Sequence, residues 1–292
     1  MTKVKIIADS SCDIPDAQVK EHNIELVHIP ITVDGKGLHE RKDFSIDEYY
    51  GILANAKEIP KTSMVPEPVF YEAFKRALDD EYTDVIVATI SSTGSGTNNS
   101  AQSAKQRLYE EHPGSEADFK IHIFDSRSYS IGFGYPVLQA AKMVGQGKPL
   151  GDVLAYLADC FDRLYVYLGV YTLEHLKRCG RVSGISAFIG EALGLRPIVS
   201  IINGENKVMG KVRGDKKIVP HLLETYRKTR TSPDDHVVVL YGQDENYAKE
   251  LAELLTKETG RPTPIFRAGA AIVTNTGPRP VALACLGRSH KA

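Results

Sequence analysis

The sequence predicts an α/β protein in two parts, on three observations. Short β-branched apolar runs alternate with stretches of helical period through the first half of the 292 residues. Polar turns rich in Gly, Ser, Asn and Asp follow several of those runs, where a strand gives way to a helix. After about residue 163 the pattern gains a hairpin, an antiparallel unit foreign to a purely parallel sheet. The expected architecture is an N-terminal doubly wound parallel sheet (residues 1–163) followed by a C-terminal α+β sheet domain (164–292).

Residues 3–8 (KVKIIA) form a first strand, ended by Asp9-Ser10-Ser11-Cys12-Asp13, and residues 16–21 a short helix. Residues 24–33 (IELVHIPITV) read as one strand, closed by the turn Asp34-Gly35-Lys36-Gly37. Residues 45–55 are helical, with Ser45 as the N-cap. The proline-bounded stretch 60–66 is a loop, and 67–80 a helix. The run 82–90 (YTDVIVATI) is too short for a helix and reads as a buried strand. The turn SSTGSGT at 91–97 leads into a helix over 98–109, with Ser95 or Thr97 as its cap. Residues 119–125 make a strand, 135–147 a helix and 149–162 another.

In the second half, 164–169 is a strand, 173–178 a short helix and 185–192 an apolar helix. Residues 197–202 and 207–213 pair as a hairpin across Asn203-Gly204, the dipeptide suited to a tight turn. Helices over 217–229 and 245–259 flank a strand at 236–241. Strands at 264–268 and 281–286 close the sheet.

Composition excludes some functions. A formal net charge of −1 argues against a broad nucleic-acid surface, which needs a basic face. No apolar run approaches the ~20 residues of a membrane span. The amino terminus enters a strand directly, without signal-peptide character. Cys12, Cys160, Cys179 and Cys285 are scattered and read as reduced thiols of a cytoplasmic protein. No metal-ligand spacing is present.

The turn 91–97 is the first candidate site. It lies at the carboxyl end of a strand and the amino end of a helix, where α/β proteins bind anions. It lacks the lysine of a P-loop and the third glycine of a dinucleotide fingerprint. It is not the G-x-S-x-G of a nucleophile elbow, because Thr93 and Thr97 stand where glycines are needed. A set of neutral donors remains, suited to a small anion such as a carboxylate. Asp9 and Asp13 read either as caps or as a metal pair. Lys177, Arg178 and Arg181, with Lys207, Lys211 and Arg213 further on, form either a solvated basic face or a docking surface for an acidic partner.

Seven stretches, in order, carry a resemblance over residues 3 to 287. They are KIIADSSCDIP, KTSMVPEP, ISSTGSGTNNSA, FDSRSYSIGFG, LEHLKRCGRVSG, LRPIVSIINGENKVMGKVRG and TNTGPRP. Together they resemble the DegV family, bacterial fatty-acid-binding proteins that serve a fatty acid kinase. The resemblance implies an acyl chain in a tunnel between two α/β domains. It puts the carboxylate among Thr62, Ser63, Ser91 or Ser92, Ser95, Thr274, Asn275 and Arg279. It implies no cofactor and a carrier role: a separate kinase phosphorylates the bound carboxylate, and the acyl phosphate feeds phospholipid synthesis. Arg178, Arg181, Lys211 and Arg213 are then the candidates for partner docking.

Ile131, Phe133, Ile185, Phe188, Ile189 and Leu193 are candidates to line the acyl chain, each equally readable as ordinary core. Two departures from the family pattern bear on the head group. Asn275 stands where the family has a histidine, with Arg279 at a glycine's place, and Cys179 replaces a second glycine. Either Arg279 supplies the missing charge or the acid binds partly protonated. Two other functions remain: a hydrolase or acyl transferase using Ser92 or Ser95, and a phosphate- or nucleotide-binding module.

Overall fold

Two sheets of different strand logic face one another across helices. The structure, a computed structural model, describes residues 2–185 and 194–291. In chain order the first half runs β1 (Val4–Asp9), α1 (Asp16–Glu21), β2 (Ile24–Val27), β3 (Pro30–Val33), β4 (Lys36–His39), α2 (Ile46–Asn55), β5 (Lys61–Thr62), α3 (Glu67–Asp79), β6 (Asp84–Thr89), α4 (Thr97–Glu111) and β7 (Lys120–Asp125). The second half runs α5 (Ile131–Gly145), α6 (Leu150–Asp162), β8 (Leu164–Gly169), α7 (Glu174–Cys179), β9 (Leu195–Ile202), β10 (Glu205–Arg213), α8 (Ile218–Thr229), β11 (Val237–Tyr241), α9 (Asn246–Thr259), β12 (Ile265–Arg267), α10 (Ala270–Thr276) and β13 (Val281–Leu286).

The first sheet is parallel, in the order β2-β1-β6-β7. Every residue of β6 is buried, as expected of a central parallel strand covered on both faces. The second is a mixed six-stranded sheet, β10-β9-β8-β13-β11-β12, with only β11 and β12 parallel. The β9–β10 hairpin turns at Asn203 and Gly204, both at positive φ (50° and 82°), as the sequence predicts. The fold class is therefore the α/β architecture expected, a parallel sheet with a separate mixed one. No described helix is long and apolar enough to cross a membrane.

Local chemistry accounts for the boundaries. Ser45 and Glu48 close a capping box at the start of α2: Glu48 N–H donates to Ser45 Oγ (3.3 Å) and Ser45 N–H to the Glu48 carboxylate (2.7 Å). The predicted strand over 24–33 is in fact two. β2 joins the parallel sheet, whereas β3 leaves it to form a small antiparallel sheet with β4 and β5. Pro30, at the break, has no N–H to continue a ladder. The break is bridged by Ser10, whose Oγ accepts from Ile29 N–H at 2.9 Å. The predicted loop 60–66 contains β5, which pairs Thr62 with Ile31.

α5 begins at Ile131, four residues before the expected start, because its glycines meet another segment. A Cβ on Gly134 would lie 1.9 Å from the Cys12 carbonyl oxygen, so only glycine allows the approach. The largest core cluster joins the parallel sheet, α5 and the inner face of the six-stranded sheet. The outer face of that sheet is covered by α8 and α9 in a second cluster. α10 was not anticipated from the sequence. The apolar helix expected over 185–192 lies, apart from Ile185, outside the described residues.

Candidate functional site

The inner face of the six-stranded sheet is only partly filled by protein. Strand register aligns Val199 of β9, Leu168 of β8, Ala282 of β13 and Leu240 of β11 in one row across four strands. All four line a cavity. Three inter-strand gaps of ~4.8 Å make this row about 14 Å long. Val166 and Ile201 add a second row, and Ile29, Ile90, Ala271 and Ile272 form the facing wall. The space open to the centres of water-sized spheres is about 110 Å³.

Polar groups gather at the mouth. Thr62 on β5, Ser63 just after it, Ser95 in the turn before α4, and Asn275 and Thr276 on α10 all line the cavity. Arg181, after α7, lines it too. Its Nε donates to the Gly94 carbonyl (2.6 Å), and its Nη1 donates to the Cys179 carbonyl (3.1 Å) and Asn275 Oδ1 (3.3 Å). Arg181 has no carboxylate partner among the described residues. Asn275 Nδ2 donates to Ala271 O (2.7 Å) and, more weakly, to Thr62 Oγ1 (3.4 Å). Among the described residues the Thr62 proton has no acceptor.

Other candidates of the head group are placed elsewhere. Ser91 is fully buried, and its Oγ bonds Thr93 Oγ1 at 2.8 Å. Ser92 turns outward to the Asp125 carboxylate, which takes both its N–H (3.0 Å) and its hydroxyl. Thr274 donates to Ala270 O (2.7 Å), the bond to the fourth carbonyl back that a helical threonine favours, and also bonds Tyr49 OH. Arg279 is drawn to Asp244 (3.3 Å) and stacks 4.7 Å from the Tyr171 ring. It does not line the cavity, so the cation at the mouth is Arg181 and not Arg279.

The acyl-lining candidates fare similarly. Ile131 and Phe133 are buried in the core on α5 and are not on the cavity wall. Ile185 is half-buried and packs against the core cluster. Phe188, Ile189 and Leu193 lie outside the described residues. The apolar wall comes instead from strands, whose period-two pattern hides a lining residue among core residues of the same type. Tyr129 and Asn206, which also line the cavity, were missed altogether.

α10 is held at its start by buried carboxylates from the first half of the chain. Asp13 Oδ1 accepts from Gly269 N–H (2.9 Å) and Glu40 Oε1 from Ala271 N–H (2.8 Å). These are N–H groups that a helix start leaves unpaired. Burial, then mutual repulsion with Glu40, pushes Asp13 well above the usual carboxylate range, and burial also raises Glu40. Asp9 accepts from Ser11 and from Ile90 N–H (2.6 Å), and burial raises it to about 6. Asp9 and Asp13 thus act as caps and anchors for backbone N–H groups. Among the described residues no His/Cys/Asp/Glu group has the arrangement of a metal site.

A second cleft opens from the mouth, sharing Thr62, Cys179, Arg181 and Asn275 with the cavity. Lys61, His175 and Arg178 line it. His175 Nδ1 bonds Thr274 O at 2.9 Å, which leaves Nε2 available. Lys211 and Arg213 sit exposed on the edge strand β10. Neither Ser92 nor Ser95 has a histidine partner among the described residues; Ser95 Oγ bonds Thr97 Oγ1 at 2.9 Å.

The geometry can be set beside known proteins. The DegV family profile matches residues 3–288. A DegV domain-containing protein of Clostridium perfringens is 29% identical over 282 residues, covering 96% of this chain and 98% of its own. A DegV family protein from Thermus thermophilus, whose structure is described as fatty acid binding, superposes with a TM-score of 0.85 at 27% identity, over 98% of this chain and 100% of that one. A fatty acid binding DegV family protein from Streptococcus agalactiae superposes with a TM-score of 0.84 at 26% identity, over 99% and 100%. With the profile spanning nearly the whole chain, this protein belongs to the DegV family.

Proposed function

We propose that this protein binds a long-chain fatty acid between an N-terminal domain (1–163) and a C-terminal domain (164–292). The acyl chain lies in the trough along Val199, Leu168, Ala282 and Leu240. The carboxylate sits at the mouth among Thr62, Ser63, Ser95, Asn275 and Arg181. The observation that carries this reading is an apolar cavity whose mouth collects hydroxyl donors and one arginine that has no carboxylate partner among the described residues. Its relatives from T. thermophilus and S. agalactiae, described as fatty acid binding, support it.

Magnitudes divide the labour. Each buried methylene contributes ~0.8 kcal/mol, so ten buried carbons contribute roughly 8 kcal/mol before the cost of association. A neutral hydrogen bond nets only ~0.5–1.5 kcal/mol, and one to a charged group ~1.5–3. The tail supplies affinity; the head group fixes direction and, through Arg181, keeps the acid ionised.

The protein then acts as a carrier that presents the carboxylate to a separate fatty acid kinase, with no cofactor of its own. The cleft beside the mouth favours this role. Lys61, His175 and Arg178 offer positive charge or proton donors where a phosphoryl group would be delivered, and Arg178, Lys211 and Arg213 offer a basic surface for the kinase. A serine-type mechanism gains no support, since among the described residues no histidine adjoins Ser92 or Ser95 and the Ser92 hydroxyl is turned outward to Asp125. Denaturing extraction of the purified protein followed by mass spectrometry tests the binding: one long-chain acid per chain is expected. An empty, folded chain whose melting temperature is unmoved by added fatty acids would refute it. Kinase-dependent formation of acyl phosphate from the loaded protein tests presentation.

A further inference from the structure

The row of residues along the trough runs on past the point where the cavity ends. Val199, Leu168, Ala282 and Leu240 stand in register on β9, β8, β13 and β11, and the register continues one strand further, pairing Leu240 with Phe266 on the edge strand β12. Phe266 belongs to the same inner-face core cluster as the rest of the row and is 7% exposed, yet the cavity wall includes Leu240 and not Phe266. Its ring meets Tyr135 of α5 edge-on, 6.1 Å between centroids, and the Tyr135 ring lies 5.0 Å from that of His236. A packed aromatic group therefore closes the row at its β12 end.

The mouth lies at the opposite end. The Arg181 carbonyl accepts from Asn206 Nδ2 on β10 (3.1 Å), and Arg181 Nε donates to Gly94 in the turn before α4. That turn is itself fastened to the β9–β10 hairpin, since Thr93 Oγ1 donates to the Gly204 carbonyl (2.5 Å). A carboxylate held by Arg181 and Ser95 thus starts on the β9–β10 side, and its tail advances across β8, β13 and β11 towards β12. Beyond Leu240 the tail meets a ring packed on a second ring, and a close-packed core resists displacement.

We propose that Phe266 is the stop of the trough and fixes the longest acyl chain that the protein holds fully buried. This rests on the fatty-acid reading above and deepens it. Each further buried carbon raises affinity about fourfold until the terminal methyl reaches Phe266, and carbons past that point add nothing. Removing the ring opens the width of one more strand, ~4.8 Å, room for about three or four carbons.

Titration of the delipidated protein with saturated acids from dodecanoic to docosanoic tests the proposal. Affinity is expected to climb with carbon number and level off at a break. In Phe266→Ala the break should move about three or four carbons longer, so that acids just past the original break bind at least about tenfold more tightly than they do to the unaltered protein. Phe266→Leu, which keeps more of the core filled should the alanine variant fail to fold, should move the break in the same direction by less. Ile265→Ala, on the same strand but packed against the outer cluster, should leave it in place. A break that stays put in a folded Phe266 variant, a break that moves equally in Ile265→Ala, or affinity that still climbs at docosanoic acid in the unaltered protein would overturn the proposal. If none of the acids binds, the fatty-acid reading itself fails, an outcome separate from an unmoved break.

Discussion

Replacing Ala282 by phenylalanine puts an aromatic ring into the middle of the trough. Ala282 is 3% exposed and sits in register between Leu168 and Leu240, all three on the cavity wall. If the space there is open, the ring fills it, and the unliganded chain keeps or gains stability. If the space is already packed, the extra atoms cost ~1–3 kcal/mol as overpacking. A bound acyl chain must then give up the three or four methylenes that the ring displaces. At ~0.8 kcal/mol each, that is about 3 kcal/mol, or on the order of a hundredfold in Kd. Urea unfolding of the delipidated chain and fatty-acid titration by calorimetry read the two effects separately. Unchanged stability with hundredfold weaker binding is expected. Lost stability with unchanged affinity would refute the reasoning, for the wall would be solid and the tail elsewhere.

Arg181→Gln should weaken acid binding by ~1.5–3 kcal/mol, whereas Arg279→Gln, which loses only its contacts with Asp244 and Tyr171, should leave the Kd unchanged; calorimetry compares them. Gly269→Ala would place a Cβ 2.3 Å from Asp13 Oδ1 and 2.9 Å from Glu40 Oε1, so a lower urea midpoint and a loss of ~1–3 kcal/mol are expected as α10 is pushed off its anchors. His236 lies against Tyr135, and burial, reinforced by Arg163 and Arg261 and opposed by Asp235, pushes its imidazole down to about 4. Because this folded pKa is depressed, the unfolded chain binds the proton first, and stability is lost as pH falls from 6.5 towards 4. Between pH 6.5 and 5 that is about 2 kcal/mol, which His236→Phe should recover in parallel urea titrations. Asp9, raised to about 6, has the opposite sign in this window but is common to both chains and cancels in the comparison.

Much of the scaffold was legible because local rules and tertiary structure agree. The capping box at Ser45 and Glu48, the Asn203-Gly204 hairpin and the all-buried strand β6 each follow from spacing and residue type. The strand over 24–33 misled because hydrophobic pattern does not report which sheet a strand joins; Pro30 was the signal of the break. α10 was hidden by its own composition. Its Thr-Asn-Thr end reads as a turn, yet Thr274, Asn275 and Thr276 each bond the carbonyl four residues back, and Asp13 and Glu40 hold its start from more than two hundred residues away. The mouth itself was half legible. Thr62, Ser63, Ser95 and Asn275 were singled out from the sequence and do converge. Ser91, Ser92 and Thr274 have the same chemistry, but their hydroxyls are engaged within the protein, and sequence carries no record of side-chain direction. Arg181 was noted for its charge and assigned to a partner, because nothing in LKRCGR distinguishes an arginine that turns inward from one that faces solvent.

A crystal structure of the chain with hexadecanoic acid tests the central claim most directly. The account predicts a carboxylate within hydrogen-bonding distance of Thr62, Ser95 and Arg181, and an acyl chain crossing the strands beside Leu168, Ala282 and Leu240. An acid bound with its carboxylate at the far end of the trough, or outside the cavity altogether, would contradict it.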